Sequence, residues 1–366
     1  MIYFDISLLA AAQQEPGIKT GPYRVVSELA RTLFSLYPQD VFAACQQPHW
    51  LKDANAALCE MGVGSVVRGA WDLPPGSVYH QTFGAFPSCT NVPHLQRVMT
   101  LYDLFPASNP EWFPPKTVAW FNSVKASLRP EDKIVAISQA TRHDALTHWS
   151  IPTFSSAVVH LASNLRPDEE RSDKAISPGL ARRQDEGAFF LSVCTLEPRK
   201  NLPRLIRAFF NFLTRTGSDA QLVIAGTAGW DLHAVLSAIG EDTILSERVI
   251  LLGRVDDADL CLLYRHCVAL IFVPLAEGFG LPALEAMQMG TAVITSDTTS
   301  LPEVVGDAAL KVDPYCTSAI SNAMESLWKE EDKRHRLARL GPARAKEFSW
   351  NKAAREYRAI YQQLTQ

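Results

Sequence analysis

The sequence predicts an α/β protein of two Rossmann-like domains, each a parallel sheet wrapped by helices, facing each other across a cleft. Three observations carry that expectation. Short β-branched runs alternate with helical periodicity along the whole chain, the pattern of parallel sheets with crossover helices. A stretch dense in charge and lacking an apolar stripe, Leu165 to Gly187, separates two such halves and reads as a linker. The 366 residues leave room for two to three domains at ~150 residues each. The domains are therefore placed at 1–164 and 188–366, with the linker at 165–187 and the last helix, about 350–366, crossing back onto the first domain.

In the first half the strand candidates are Ile2–Leu9, Val41–Cys45, Arg97–Leu101, Lys133–Ile137 and Ala157–His160. The opening MIYFDISLLAAA is as apolar as a secretory leader, but it has no basic start and carries Asp5, so a buried first strand is expected. After Gly21, the residues Val25, Val26, Leu29, Leu33 and Leu36 make one helical stripe. The second half reads as strands at Phe189–Cys194, Gln221–Ala225, Arg248–Leu252, Val268–Pro274 and Thr291–Thr295. Helical faces follow from Leu202, Leu205, Ile206, Phe209 and Leu213, and from Trp350, Ala354, Tyr357, Tyr361 and Leu364.

Composition narrows the class. With 47% hydrophobic and 20% charged residues the chain is globular, which excludes disordered and fibrous classes. A net charge of −4 argues against a nucleic-acid partner. Seven scattered cysteines without a C-x-x-C pair read as reduced thiols and a cytoplasmic location. No apolar run approaches the ~20 residues needed to cross a bilayer.

Two constellations carry most of the chemistry. Glu277-Gly-Phe-Gly-Leu-Pro-Ala-Leu-Glu285 follows a strand and opens a helix, where glycines admit a ligand to the backbone and a helix start favours an anion. Both glutamates are placed to accept bonds from sugar hydroxyls; the plainer role for Glu285 is to complement the helix dipole. Gly278-Phe-Gly280-Leu-Pro-Ala283, with Asp297 beyond it, also spells a dinucleotide fingerprint, which would suit an NAD-dependent oxidoreductase. That fingerprint explains neither glutamate and lies late in its domain. In Glu197-Pro-Arg199-Lys200-Asn201, Asn201 is a plausible N-cap, and two cations at a helix start make sense if a diphosphate docks there. The alternative is a surface Glu197–Arg199 pair worth little.

Weaker features lie in the first half. The Gly17-Ile-Lys19-Thr-Gly21 loop faces a phosphate or an acceptor, or is an ordinary strand-to-helix turn. His80 and Tyr102-Asp103 follow strands and either orient an acceptor hydroxyl or serve structure. Trp112-Phe113, Lys116, Trp120-Phe121, Lys125 and Arg129 either face a membrane or belong to a core-facing helix. Asp257-Ala-Asp259 reads as a helix start rather than a metal motif, and Ser300-Leu-Pro-Glu303 as a capping box. No metal site and no cofactor is expected.

Taken together, these segments resemble the family-4 retaining glycosyltransferases of the GT-B fold. Glu277 to Pro314 is similar to that family's donor-site signature, and SVCTLEPRKNLPRLIRAF, LLGRVDDADLCLLY and the closing FSW helix match its second domain in order. GIKTGPYRVVSELARTL, TLYDLFP and IVAISQAT look like its first-domain segments. The resemblance implies that Glu277 holds hydroxyls of the donor sugar and Glu285 the ribose diol. It implies that Arg199 and Lys200 bind the diphosphate, that backbone N–H groups of Gly278, Phe279, Gly280 and Leu281 reach the sugar and distal phosphate, and that Gly253-Arg254 lies near the base. Many members carry His before Asp103, linked to the acceptor side or the reacting centre; here Tyr102 stands in its place, and Asp103 is taken, with Glu277, Arg199 and Lys200, as a candidate catalytic residue.

The implied reaction retains the anomeric configuration, with front-face attack by the acceptor hydroxyl and the departing diphosphate stabilised without a metal. The EPRKN and SLPEVVGDAA blocks look like those of bacterial mannosyltransferases using GDP-mannose for surface polysaccharides. UDP-glucose, dTDP-rhamnose and GDP-fucose remain open as donors. The acceptor would be a glycan or a polyprenyl-diphosphate-linked oligosaccharide, met at the inner face of the cytoplasmic membrane. A non-catalytic two-domain sugar binder would share this architecture, but not its need for paired cations.

Overall fold

The computed structural model describes residues 1–165, 187–240 and 243–365; nearly all of the expected linker lies outside these described residues. The chain divides into two compact units, Met1–Asn164 with Phe348–Gln366, and Leu165–Glu347.

Unit 1 is built on seven parallel strands: β1 (Ile2–Asp5), β2 (Val41–Cys45), β3 (Val67–Gly69), β4 (Val78–Gln81), β5 (Gln96–Leu101), β6 (Lys133–Ala136) and β7 (Ser156–Val158). Their order is β3-β2-β1-β4-β5-β6-β7, with Phe4 beside Ala43 on one side and His80 on the other. This is the Rossmann order, in which the chain reverses direction between β1 and β4 and leaves a crevice at the carboxyl ends of the strands. The expected first strand was too long. It stops at Asp5, and Ser7–Gln14 is a helix, because Ser7 donates from Oγ to the buried Asp5 carboxylate (2.6 Å) and turns the chain. The short strands β3 and β4 had no place in the expected set.

One face of the sheet is covered by Gly21–Leu36, which buries Val25, Val26, Leu29 and Leu33 as the stripe predicts, while Leu36 stays exposed. The closing helix Trp350–Leu364 packs on the same face through Ala354, Tyr357 and Tyr361. The other face carries Tyr79, Met99, Phe121 and Trp149.

Unit 2 repeats the plan with β8 (Phe189–Val193), β9 (Gln221–Ala225), β10 (Val249–Gly253), β11 (Ala269–Phe272), β12 (Val293–Ser296) and β13 (Leu310–Val312), ordered β10-β9-β8-β11-β12-β13. Its main helix, Leu202–Thr216, buries the expected face of Leu202, Leu205, Ile206, Phe209 and Leu213. Phe190, Phe212 and Trp328 form an edge-to-face aromatic cluster behind the sheet. Gly226 is required at the end of β9: its φ is +147°, and a Cβ there would lie 1.8 Å from the Cys194 carbonyl oxygen.

Candidate active site

The carboxyl ends of β8 and β11 lie side by side at the switch point of unit 2, and the loops leaving them are hydrogen-bonded. The Leu275 N–H donates to the Arg199 carbonyl (2.7 Å). From β8 the chain runs through a tight turn, Pro198–Lys200, into Asn201 at φ +62°. Asn201 is not the side-chain N-cap expected of it. Its amide donates instead to the carbonyls of Val273 (3.0 Å) and Pro314 (2.8 Å), fastening the turn to the neighbouring loop.

The turn delivers both cations to one carboxylate. Arg199 Nη1 lies 3.0 Å and Lys200 Nζ 2.5 Å from Glu277 Oε2. Arg199 Nε also donates to Glu197 (2.9 Å), so the Glu197–Arg199 pair that was the alternative to anion binding exists within a larger cluster. These side chains are largely covered, at 9–15% exposure. Burial alone would raise Glu277, but Lys200 and Arg199 more than offset it and hold its pKa below the ordinary carboxylate value. Glu277 is thus ionised at neutral pH.

The Glu277 loop is pinned from behind. Ser300 donates to the Glu277 carbonyl (2.7 Å), and the Glu277 N–H donates to Thr299 Oγ1 (3.1 Å). Ser300 stands before the helix Leu301–Val305 but makes no side-chain cap, so the expected capping box is absent. Its hydroxyl is spent on the loop. The sequence signal for this role was the same Ser-Leu-Pro-Glu string, whose partner lies 23 residues upstream and cannot be seen locally.

Gly280 precedes the helix Leu281–Gln288 at φ +106°, where a Cβ would sit 2.5 Å from Leu301 Cδ2. Phe279 is buried, and Glu285, on the second turn of that helix, is buried with Oε2 accepting from the Tyr264 hydroxyl (3.0 Å). Gly253, at φ +70°, ends β10 and its carbonyl accepts from the Gly226 N–H (2.8 Å), with Arg254 exposed beyond it. Asp256 caps the helix Asp257–His266 through the Asp259 N–H, as a helix start should. Among the described residues no group of three or more His, Cys, Asp or Glu side chains could hold a metal ion.

The first-half candidates belong to unit 1. Gly17 and Gly21 border open space, and Lys19 Nζ lies 5.6 Å from the centre of the Tyr23 ring. His80 does not follow a strand: it lies inside β4, fully buried, with Tyr361 Oη 2.6 Å from Nδ1 and Thr100 Oγ1 2.8 Å from Nε2. Thr100 also meets the Tyr357 hydroxyl at 2.7 Å. With both ring nitrogens engaged and burial pushing its pKa down to about 3, His80 is a neutral core residue. The partners that explain it lie on the last helix, 281 positions away in the case of Tyr361. Asp103 accepts from the Phe105 N–H (3.3 Å) just past β5. Of the aromatic and basic stripe, Phe121 is core and Arg129 is held by the Val92 and Leu95 carbonyls, whereas Trp120 is exposed. No helix among the described residues is long and apolar enough to cross a membrane.

Two all-parallel Rossmann-like units, one with paired cations and a carboxylate at its switch point, define a glycosyltransferase of the GT-B fold. The crystal structure of a glycosyltransferase from Rickettsia africae superposes with a TM-score of 0.71 at 14% identity, covering 99% of this chain and 98% of that one. Residues 177–344 match the family described as Glycosyl transferases group 1. O-antigen chain mannosyltransferase B of Escherichia coli is 34% identical over 265 residues, 71% of this chain and 68% of the relative. The serotype-specific mannosyltransferase WbdA of Escherichia coli is 31% identical over 276 residues, 72% of this chain but 33% of the relative. The chain belongs to the group 1 glycosyltransferases, and the dinucleotide reading of Gly278–Ala283 is set aside.

Proposed function

We propose that this enzyme transfers mannose from GDP-mannose, with retention of configuration, to a hydroxyl of a glycan or lipid-linked oligosaccharide on the cytoplasmic side of a membrane. Unit 2 takes the donor and unit 1 the acceptor. The observation that carries the reading is the convergence of Arg199 and Lys200 on Glu277 at the switch point of unit 2. The mannosyltransferase names of both relatives support mannose, and the O-antigen name of one supports a surface-polysaccharide acceptor.

Breaking the sugar–diphosphate bond builds negative charge on the leaving oxygens and positive charge at the anomeric carbon. Arg199 and Lys200 are fixed before the donor arrives, so they stabilise the departing diphosphate without reorganising. Glu277, kept ionised by the same cations, accepts sugar hydroxyls and stands near the developing positive charge. Glu285 takes the ribose diol, and the Gly278–Leu281 backbone the distal phosphate and sugar. The acceptor oxygen bonds to the anomeric carbon from the face the diphosphate leaves, and its proton passes to the departing phosphate oxygen as the sugar–diphosphate bond breaks.

Thermal unfolding against GDP-mannose, UDP-glucose, dTDP-rhamnose and NAD, without added metal, tests the donor. At ~100-fold its Kd a ligand stabilises by about 2.7 kcal/mol, a shift of several degrees at roughly 2–4 °C per kcal/mol. GDP-mannose should give that shift, and Glu285→Ala and Arg199→Ala should abolish it. A shift with UDP-glucose or dTDP-rhamnose alone would move the donor, and one with NAD alone would overturn the reading.

A further inference from the structure

Unit 1 presents an aromatic feature one strand to the side of its switch point. Three rings from three segments meet at the carboxyl ends of β4 and β5: Phe83, two residues past β4; Tyr102, the first residue past β5; and Trp120, on the helix Pro115–Ala126. The Phe83 ring centre lies 5.4 Å from that of Trp120, inclined at 33°, and 6.0 Å from that of Tyr102, inclined at 68°. The Tyr102 hydroxyl is buried with no hydrogen-bond partner among the described residues, and Tyr102 and Phe83 are each partly exposed. Trp120 is 42% exposed although the next residue, Phe121, is buried against Trp149.

The group is held in place. The Gln81 amide donates to the Phe83 carbonyl, and the Phe86 N–H donates to Ser127 Oγ (3.0 Å). Gly84, at φ +82°, passes close to the Trp120 ring, which a Cβ there would meet at 3.6 Å.

Flat rings suit a neutral sugar: the apolar C–H face of a pyranose packs on them. A lipid surface asks for a continuous apolar face rimmed by cations. On its helix Trp120 is flanked instead by exposed Ala119, Asn122 and Ser123, with Lys116 one turn away.

We propose that Phe83, Tyr102 and Trp120 form a stacking platform for a pyranose ring of the acceptor glycan. The proposal rests on the reading of unit 1 as the acceptor side. Saturation-transfer NMR of a mannotriose with the full chain tests it, using Trp120→Ala, Trp120→Phe and, as a control, Trp71→Ala, which alters another exposed indole of unit 1. The wild type should pass saturation from aromatic protons to the sugar C–H protons. Trp120→Ala should weaken the mannotriose roughly tenfold or more, an aromatic anchor's ordinary share of binding, while Trp120→Phe and Trp71→Ala stay close to wild type. No transfer in the wild type, or unchanged affinity in Trp120→Ala, would overturn the platform. So would a Trp120→Ala variant that keeps the trisaccharide and loses binding to anionic vesicles. The GDP-mannose thermal shift, run on the same samples, reports on the donor reading independently.

Discussion

The two switch points share a topology and differ in chemistry. In unit 1 the crossing between β1 and β4 is lined by groups that burial drives toward neutrality. His80 is pushed down to about 3 and Asp5 up to about 6, the latter despite bonds from Ser7 and Gln46. In unit 2 the equivalent crossing keeps its charges, because Glu277 has two cations against it. The strand order decides where a ligand meets the sheet, and the side chains arriving there decide which ligand. On the proposed reading the unit 2 crossing takes a charged diphosphate, and the rings beside the unit 1 crossing take an uncharged glycan.

The sharpest way to break this contrast is to remove a cation from unit 2. Lys200→Ala and Arg199→Ala should each lower kcat by about 10²–10³ if they act on the leaving group as fixed donors do. Steady-state transfer from GDP-mannose measures it, and a loss below tenfold would reduce the cluster to a structural ion pair.

Acid should sharpen the contrast within unit 1. A histidine whose folded pKa lies below its unfolded value of ~6.5 stabilises the fold above that value and loses the contribution as pH falls toward 3. Asp5 works the other way. Its raised pKa adds stability as pH falls from about 6 to below its unfolded value near 3.8. His80→Gln should therefore flatten the acid loss of stability, and Asp5→Asn should steepen it, each by on the order of a few kcal/mol. Denaturant unfolding from pH 4 to 7 reads both, and slopes moving in the same direction would refute the assignment.

The smallest test compares the glycines at two helix starts. Gly280→Ala forces a left-handed backbone and a contact with Leu301, at a cost of about 1–3 kcal/mol. Gly21→Ala in unit 1 meets open space without a positive φ and should leave the melting temperature within a degree or two.

Much of this was legible in the sequence because parallel strands and amphipathic helices leave periodic traces; the Leu202–Leu213 stripe appears as a buried face without revision. The charge cluster was legible because its members are crowded into two short strings. What stayed hidden were partnerships across the chain. His80 reads from sequence as either an acceptor-orienting or a structural residue until Tyr361 and Thr100 are seen on either side of it. Asn201 and Ser300 look like helix caps, and instead they tie the site loops to segments far away in sequence. Three-residue strands such as β3 and β13 are too short to show a period.

Unit 1 is also a discontinuous body: Phe348–Gln366 belongs to it, although the whole of unit 2 intervenes. Translation runs at about 5–20 residues per second, so the ribosome needs roughly 10–40 s between finishing Asn164 and reaching Phe348. Throughout that interval Phe4, Val98 and His80 lack the cover that Tyr357 and Tyr361 will provide. Unit 2, contiguous along the chain, is synthesised in full before unit 1 receives its last helix. A weakening substitution in the closing helix should therefore lower the yield of soluble protein from cells more than it lowers the stability of what is purified.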